Sequence, residues 1–238
     1  GDRVLMLVTV CALNRWTFEE IFERYNIKPV DAIRCLTRLD RLKIIDLSEH
    51  AQQPMVDNEL GLGIVFNGCI YNYRELRAAL RALGYRFFSE GDTEVILKAY
   101  HAWGIACVER FHGMFAFAVW DCDEESLFLA RDRAGIKPLY YAERNGRWTF
   151  ASEIKALLQD RTLPRAIDEE ALFHYLSFLT TPAPMTLFAG IRKLPAGCRM
   201  RVDARGTQHI ERYWDAMTAA AEVPRRSAPA ASRLRAWL

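Results

Sequence analysis

The 238 residues carry 32 Lys and Arg against 30 Asp and Glu, a net charge of +2, and 51% of them are hydrophobic. A charge this close to balance singles out no nucleic-acid or acidic partner, and so large an apolar fraction supports a real core and excludes wholesale disorder. The length suits one large domain, or one domain with a small appendage.

Six cysteines (Cys11, Cys35, Cys69, Cys107, Cys122 and Cys198) are scattered with no C-x-x-C pair, and five histidines are equally dispersed. That spacing speaks against zinc, and reduced thiols of a cytoplasmic protein are the expectation. No flavin, nucleotide or tetrapyrrole motif is present, so no cofactor is expected. The longest early apolar run, residues 4–13, is too short to span a bilayer and lacks a cleavage site, so neither a membrane partner nor a signal peptide is expected.

In chain order, residues 1–40 read as a small helical head. Residues 4–13 suit a buried helix. Thr17 and Glu20 have capping-box spacing ahead of a second helix whose Phe18, Ile21 and Phe22 share a face. Pro29 suits the first position of a third, on which Ile33, Leu36 and Leu39 align. Two helices, a turn and a strand resemble a helix-turn-helix regulator, with Arg34 and Arg38 one turn apart as candidate DNA contacts. The preferred reading is plainer: a helical pack whose arginines are solvated.

From residue 41 the pattern changes. Residues 54–57 read as a loop and 62–66 as a buried strand. Helices are predicted over 73–83, ended by Gly84, and over 92–103, followed by Gly104. Strands are predicted over 114–120, 126–130, 139–142 and 148–151, helices over 153–158 and 168–179, and closing strands over 191–194, 198–202 and 208–213. Residues 215–238, rich in Ala, Arg and Pro, read as a linker or loose tail.

The most informative stretch is LGIVFNGCIYNYRELR, residues 62–77. By local pattern Asn67-Gly68 is a strong signal for a type I′ hairpin turn. The alternative is an oxyanion hole, with the Asn amide and the Gly N–H aimed at one developing negative charge.

FNGCIYNYRELR, GDTEVILKAYHAWG, GMFAFAVWD, LARDRAGIKPLYY and ASEIKALL follow in this order. The series resembles the class II, N-terminal-nucleophile glutamine amidotransferase domain of asparagine synthetase-like enzymes. RLKIIDLSE, QQPMVD and FNGCIYNYRELR resemble most closely the N-acetylglutaminylglutamine amidotransferases. The resemblance implies an α+β fold, a four-layer αββα sandwich of antiparallel sheets over residues 41–214. It favours the oxyanion-hole reading of Asn67 and Gly68. It implies that Arg41 pairs with the α-carboxylate of L-glutamine, that the backbone of Leu42, Ile44 and Ile45 lines the pocket, and that Asp92 receives the α-ammonium while also capping its helix. Cys69 stands where many asparagine synthetases have a ligand-contacting Glu. An ATP-dependent synthetase domain is the implied partner, but its S-G-G-x-D-S loop does not occur in this sequence.

Members of this class attack glutamine with a mature N-terminal Cys whose own α-amine is the base. In this sequence residue one is Gly1, and Cys11 is followed by Ala-Leu-Asn rather than the expected Gly-Ile. The usual R-G-P-D element is also absent, so the amidotransferase body is expected to lack its N-terminal strand. Cys69 has no paired base. The expectation is therefore a glutamine-binding domain with impaired hydrolysis. A DNA-binding or regulatory protein with an amidotransferase-like scaffold is the alternative reading, and a fusion that does not fold stably is a third.

Overall fold

The computed structural model describes residues 53–218; the helical head and the tail lie outside them, as does the division proposed at residue 40. Among the described residues nine strands form two antiparallel sheets. The larger has the order β1 (Met55–Asp57), β2 (Leu62–Ile70), β3 (Gly113–Asp121), β4 (Ser126–Arg131), β8 (Cys198–Val202), β9 (Gln208–Arg212). The smaller has the order β6 (Arg147–Ala151), β5 (Tyr140–Arg144), β7 (Ile191–Lys193).

Side-chain alternation along the strands builds the layers. On β3, Phe115, Phe117 and Val119 face one way, into a core shared with α1 (Tyr73–Ala82) and α2 (Asp92–Trp103). Ala116 and Ala118 face the other way and pack with Leu129, Leu139, Tyr141, Leu194 and Met200 between the sheets. The outer face of the small sheet buries Ala142 and Ile191 against Leu157 of α3 (Ile154–Leu157) and Leu163. Helices, sheet, sheet and a further helical layer give the four-layer α+β sandwich that the resemblance implies. A last helix, α4 (Glu169–Phe178), contributes only Ala171 to the buried set.

The structure excludes the local turn reading of Asn67-Gly68 and overturns the loop expected at residues 54–57. Asn67 and Gly68 form no hairpin turn, because β2 runs on through them to Ile70 and pairs residue for residue with β3, Asn67 against Ala116 and Gly68 against Phe115. Nine consecutive partners on β3 outweigh the local turn signal. Residues 55–57, expected as a loop, form β1, with Met55 opposite Ile64 and Asp57 opposite Leu62. The exposed edge of β2 recruits them into its ladder.

Gly68 is required by close approach. A Cβ there would lie 2.2 Å from the Met114 carbonyl oxygen, and φ is +153°. Gly113, two pairs further along the ladder, has the same constraint: its Cβ would meet the Cys69 carbonyl oxygen at 2.2 Å. The two strands therefore run unusually close at the end of β2 that carries the site.

Candidate active site

The site is built from the last four residues of β2 and the start of α2. Phe115 has both backbone groups committed to Asp132, accepting from the Asp132 N–H at 2.8 Å and donating to its carboxylate at 3.2 Å. Its partner Gly68 therefore makes no bond across the β2–β3 ladder, and its N–H points to the opposite edge. The same parity applies at Phe66 and Ile70. The Phe66 N–H donates to Gln53 Oε1 at 2.9 Å and the Ile70 N–H donates to Asp92 Oδ2 at 2.8 Å. Among the described residues no strand pairs with this edge of β2 beyond Ile64. The Gly68 N–H sits mid-row at this edge, between two amides that already have partners.

Asp92 is the first residue of α2, and the N-cap is Gly91, which makes no side-chain cap bond. The expected capping role is thus corrected. The carboxylate reaches across to β2, which fixes it beside the row of amides, and its charge is favourable at a helix N-terminus. The loop ahead of it is tied down from two sides. Arg77 donates to the carbonyls of Ser89 and Gly91, both at 2.8 Å, and stacks on Phe87. Buried Glu94 accepts from the Ser89 N–H and hydroxyl, both at 2.7 Å, and from the Phe88 N–H. Lys98 lies 3.3 Å from Glu94 and 2.8 Å from Asp57 on β1, so one cation joins the loop to the sheet.

Asn67 alternates onto the face toward the second sheet, where its Nδ2 donates to Ser152 Oγ at 3.1 Å. Its Oδ1 is buried with no hydrogen-bond partner among the described residues, although Asn67 as a whole is only half-buried. Cys69 shares that face by parity. Burial, and then the Asp92 carboxylate, push its thiol up to about 12, against the opposing pull of Lys137. It is held as a neutral thiol and is no nucleophile. Cys107 is likewise lifted to about 12, chiefly by burial, and burial raises Cys198.

Asn67, Gly68 and Asp92 are therefore brought together. Arg41, Leu42, Ile44 and Ile45 lie outside the described residues, as do Arg34 and Arg38 of the DNA-binding alternative. Sequence reasoning passed over three supporting residues. Ser152 holds the Asn67 amide. Asp132, fully buried, accepts backbone N–H bonds from Phe115, Ala134, Ile136 and Lys137 and so shapes the turn beside Gly68. Lys137, buried, places its charge near Cys69. Their signal was present in LARDRAGIKPLYY and ASEIKALL, as an Asp and a Lys around a Gly turn and a Ser leaving a strand. Among the described residues no group of three or more His, Cys, Asp or Glu is placed to hold a metal ion, and no helix is long and apolar enough to cross a membrane.

The last residues of β2 thus carry Asn67, Gly68 and the amide that fixes Asp92, within a four-layer sandwich. The chain belongs to the glutamine amidotransferase domain family, whose profile matches residues 32–214. It is 41% identical over 176 residues to asparagine synthetase [glutamine-hydrolyzing] 1 of Bacillus subtilis, covering 74% of this chain and 28% of that protein. It is 37% identical to asparagine synthetase [glutamine-hydrolyzing] 3 of the same organism, covering 74% of this chain and 29% of the relative. A third relative, amidase chry2 of Gibberella zeae, is 34% identical, with 74% and 25% covered. The chain thus spans about a quarter to three tenths of these proteins. Among solved structures it is similar to the glutamine phosphoribosylpyrophosphate amidotransferase of B. subtilis, with TM-score 0.49, 19% identity, and 70% of this chain and 33% of that chain covered.

Proposed function

We propose that residues 53–218 form the recognition half of a glutaminase site, binding L-glutamine at the edge of β2 that carries the Gly68 N–H. In this reading the Asp92 carboxylate receives the α-ammonium group. The Gly68 N–H and the spare Asn67 amide N–H face the side-chain carbonyl and stabilise the negative charge that builds on its oxygen during attack. Ser152 sets the Asn67 amide, and the Ile70 N–H sets the Asp92 carboxylate, so neither group needs to reorganise when ligand arrives. Arg41 is proposed to complete the pocket at the α-carboxylate. Ammonia released from glutamine would serve amide synthesis, as the names of the asparagine synthetase relatives suggest.

The observation that supports this reading is the Gly68 N–H, turned away from β3 to an edge of β2 that no described strand pairs beyond Ile64, with the Asp92 carboxylate fixed two residues along at Ile70. None of the cysteines at Cys69, Cys107 and Cys198 is poised to attack, and no Cys in the sequence precedes Gly-Ile. This 238-residue chain is therefore proposed to bind glutamine and to release ammonia negligibly.

Calorimetric titration of the chain with L-glutamine tests the binding. Saturable heat is expected. Asp92→Asn keeps an acceptor for the Ile70 N–H but loses the charge, so affinity should fall about 10- to 100-fold, as expected for a charge-assisted hydrogen bond. No heat with millimolar glutamine, or an unchanged affinity in the variant, would overturn the reading. A coupled ammonia assay should stay at background.

A further inference from the structure

The two sheets do not close evenly. The larger one carries small residues, Gly63 on β2 and Ala118 on β3, on the inner face that looks toward β6, the last strand of the smaller sheet among the described residues. Small side chains facing an edge strand leave space. That space is a cavity of about 490 Å³, walled by Val65, Ala118, Trp120 and Leu127 from the larger sheet and by Trp148 and Phe150 from β6. Tyr141 stacks on Trp148, ring centroids 6.2 Å apart, and steadies that wall. Trp120 is 46% exposed although β3 is a central strand. Two carboxylates, Glu125 in the β3–β4 turn and Asp203 in the β8–β9 turn, join the lining, which holds no Lys or Arg. Nearby arginines are engaged elsewhere: Arg147 lies 3.8 Å from Asp160, and Arg201 lies 3.4 Å from Glu124. Asp203 accepts from the N–H groups of Arg205 and Thr207. The Glu125 carboxylate has no hydrogen-bond or ion-pair partner among the described residues. Its backbone is left-handed, with φ +44°, a conformation disfavoured for any residue with a side chain.

We infer that this cavity is a binding site for a cationic aromatic ligand, an aryl-alkyl amine of about the size of tryptamine, separate from the glutamine site. A space of this volume takes a ligand of roughly a dozen non-hydrogen atoms. Three aromatic side chains in its walls favour a flat ring, which they can meet by offset stacking or edge contacts. Two of the three are tryptophans, the rings that attract an ammonium most strongly, and the free Glu125 carboxylate adds to that attraction. An anionic ligand would meet two carboxylates with no cation in the lining to offset them. The cavity lies beside the proposed glutamine pocket without sharing its groups. Val65 and Phe150 precede Asn67 and Ser152 by two residues on the same inner faces, so the cavity ends one side-chain step short of the Asn67–Ser152 bond. Asn67, Gly68 and Asp92 are not among the residues that line it.

Tryptamine is titrated into the 238-residue chain by calorimetry, with tryptophol, its uncharged alcohol analogue, in parallel. Saturable tryptamine binding with a Kd of roughly 10–100 µM is expected, and tryptophol should bind about tenfold more weakly. Glu125→Gln should weaken tryptamine about three- to tenfold and leave tryptophol unchanged, whereas Glu124→Gln, at the adjoining carboxylate, should change neither. Trp120→Ala should weaken both ligands at least tenfold. Glu124 and Glu125 are exposed turn residues, so their variants decide the matter if Trp120→Ala does not fold. No saturable heat with millimolar tryptamine overturns the inference, whether the cavity is then empty or filled by other residues of this chain. So does equal affinity for the two ligands, or an equal loss in the two Glu variants. Displacement of tryptamine by L-glutamine would put both ligands in one site and overturn it as well. Tryptamine binding without glutamine binding sinks the proposed function and leaves the cavity site, and the reverse result does the opposite.

Discussion

Lys98→Met is the sharpest test of how the fold holds the site. The Lys98 ammonium lies 2.8 Å from Asp57 and 3.3 Å from Glu94, and the three side chains are 7, 6 and 0% exposed. Methionine keeps most of the stem volume and helix propensity, so the variant isolates the charge. Removing the shared cation leaves two carboxylates buried together. Breaking one buried pair from one side costs about 3–5 kcal/mol. Some of the loss is offset because Asp57 still accepts from the N–H groups of Glu59 and Leu60, and Glu94 from those of Phe88 and Ser89. A loss of about 3 kcal/mol is expected, which for a domain of this size lowers Tm by roughly 6–12 °C. Urea titration followed by tryptophan fluorescence measures it, with the m-value unchanged. The triple variant Asp57→Asn, Glu94→Gln, Lys98→Met removes every charge of the cluster and should recover at least half of the loss. If Lys98→Met costs less than about 1 kcal/mol, the cluster is not the buried ionic joint inferred from the geometry.

Two further outcomes follow from the same structure. Gly68→Ala forces its Cβ against the Met114 carbonyl oxygen at 2.2 Å, so β2 and β3 must separate by about 1 Å and stability should fall by about 2–3 kcal/mol. Gly63→Ala, whose Cβ would have Val56 Cγ2 as its nearest neighbour at 3.9 Å, should stay within about 0.5 kcal/mol. Equal losses in the two variants, by urea titration, would refute the close-approach argument. Burial lifts the Cys107 thiol from 9.0 to about 12, so above pH 9 the unfolded chain sheds a proton that the folded chain keeps. The contribution is fully present below pH 9 and is lost at about 1.4 kcal/mol per pH unit as pH rises toward 12. Between pH 8.5 and 10.5 the wild type should therefore lose about 2 kcal/mol more than Cys107→Ala, and parallel profiles for the two would contradict the assignment.

What the sequence made legible was whatever its local grammar fixes. The bounds of α2 and β8 were read to the residue because Gly91 and Gly104 frame the one and turn residues frame the other. Most other strands shift by one or two residues, as element ends do. Asn67-Gly68 shows where that grammar misleads. The dipeptide asks for a turn, but turn preference competes with a full ladder on β3, and the partners that decide the contest begin about 46 positions downstream. Residues 55–57 were misjudged for the same reason: Pro54 signals a loop, while the reward for pairing comes from β2. The supporting shell was least legible. The bond from Asn67 to Ser152 spans 85 positions, and that from Asp132 to the Phe115 N–H spans 17. A lone Ser or Asp carries no local mark of such a partnership.

The site also separates recognition from attack in physical terms. Asp92 and Asn67 are both fixed through β2, one by the Ile70 N–H and the other by Ser152, and β2 is anchored in turn by Ile64, Phe66 and Ile70 in the helix-side core. Every one of these contacts lies within residues 53–218. The thiol nearest the site, Cys69, is lifted to about 12, which leaves on the order of one thiolate in ten thousand or fewer near neutral pH. Its ionisation is opposed by the same Asp92 carboxylate that is proposed to hold the ammonium group. The carboxylate that would attract a cationic group therefore also disfavours a thiolate beside it, so the same charge that serves the proposed recognition opposes attack by Cys69.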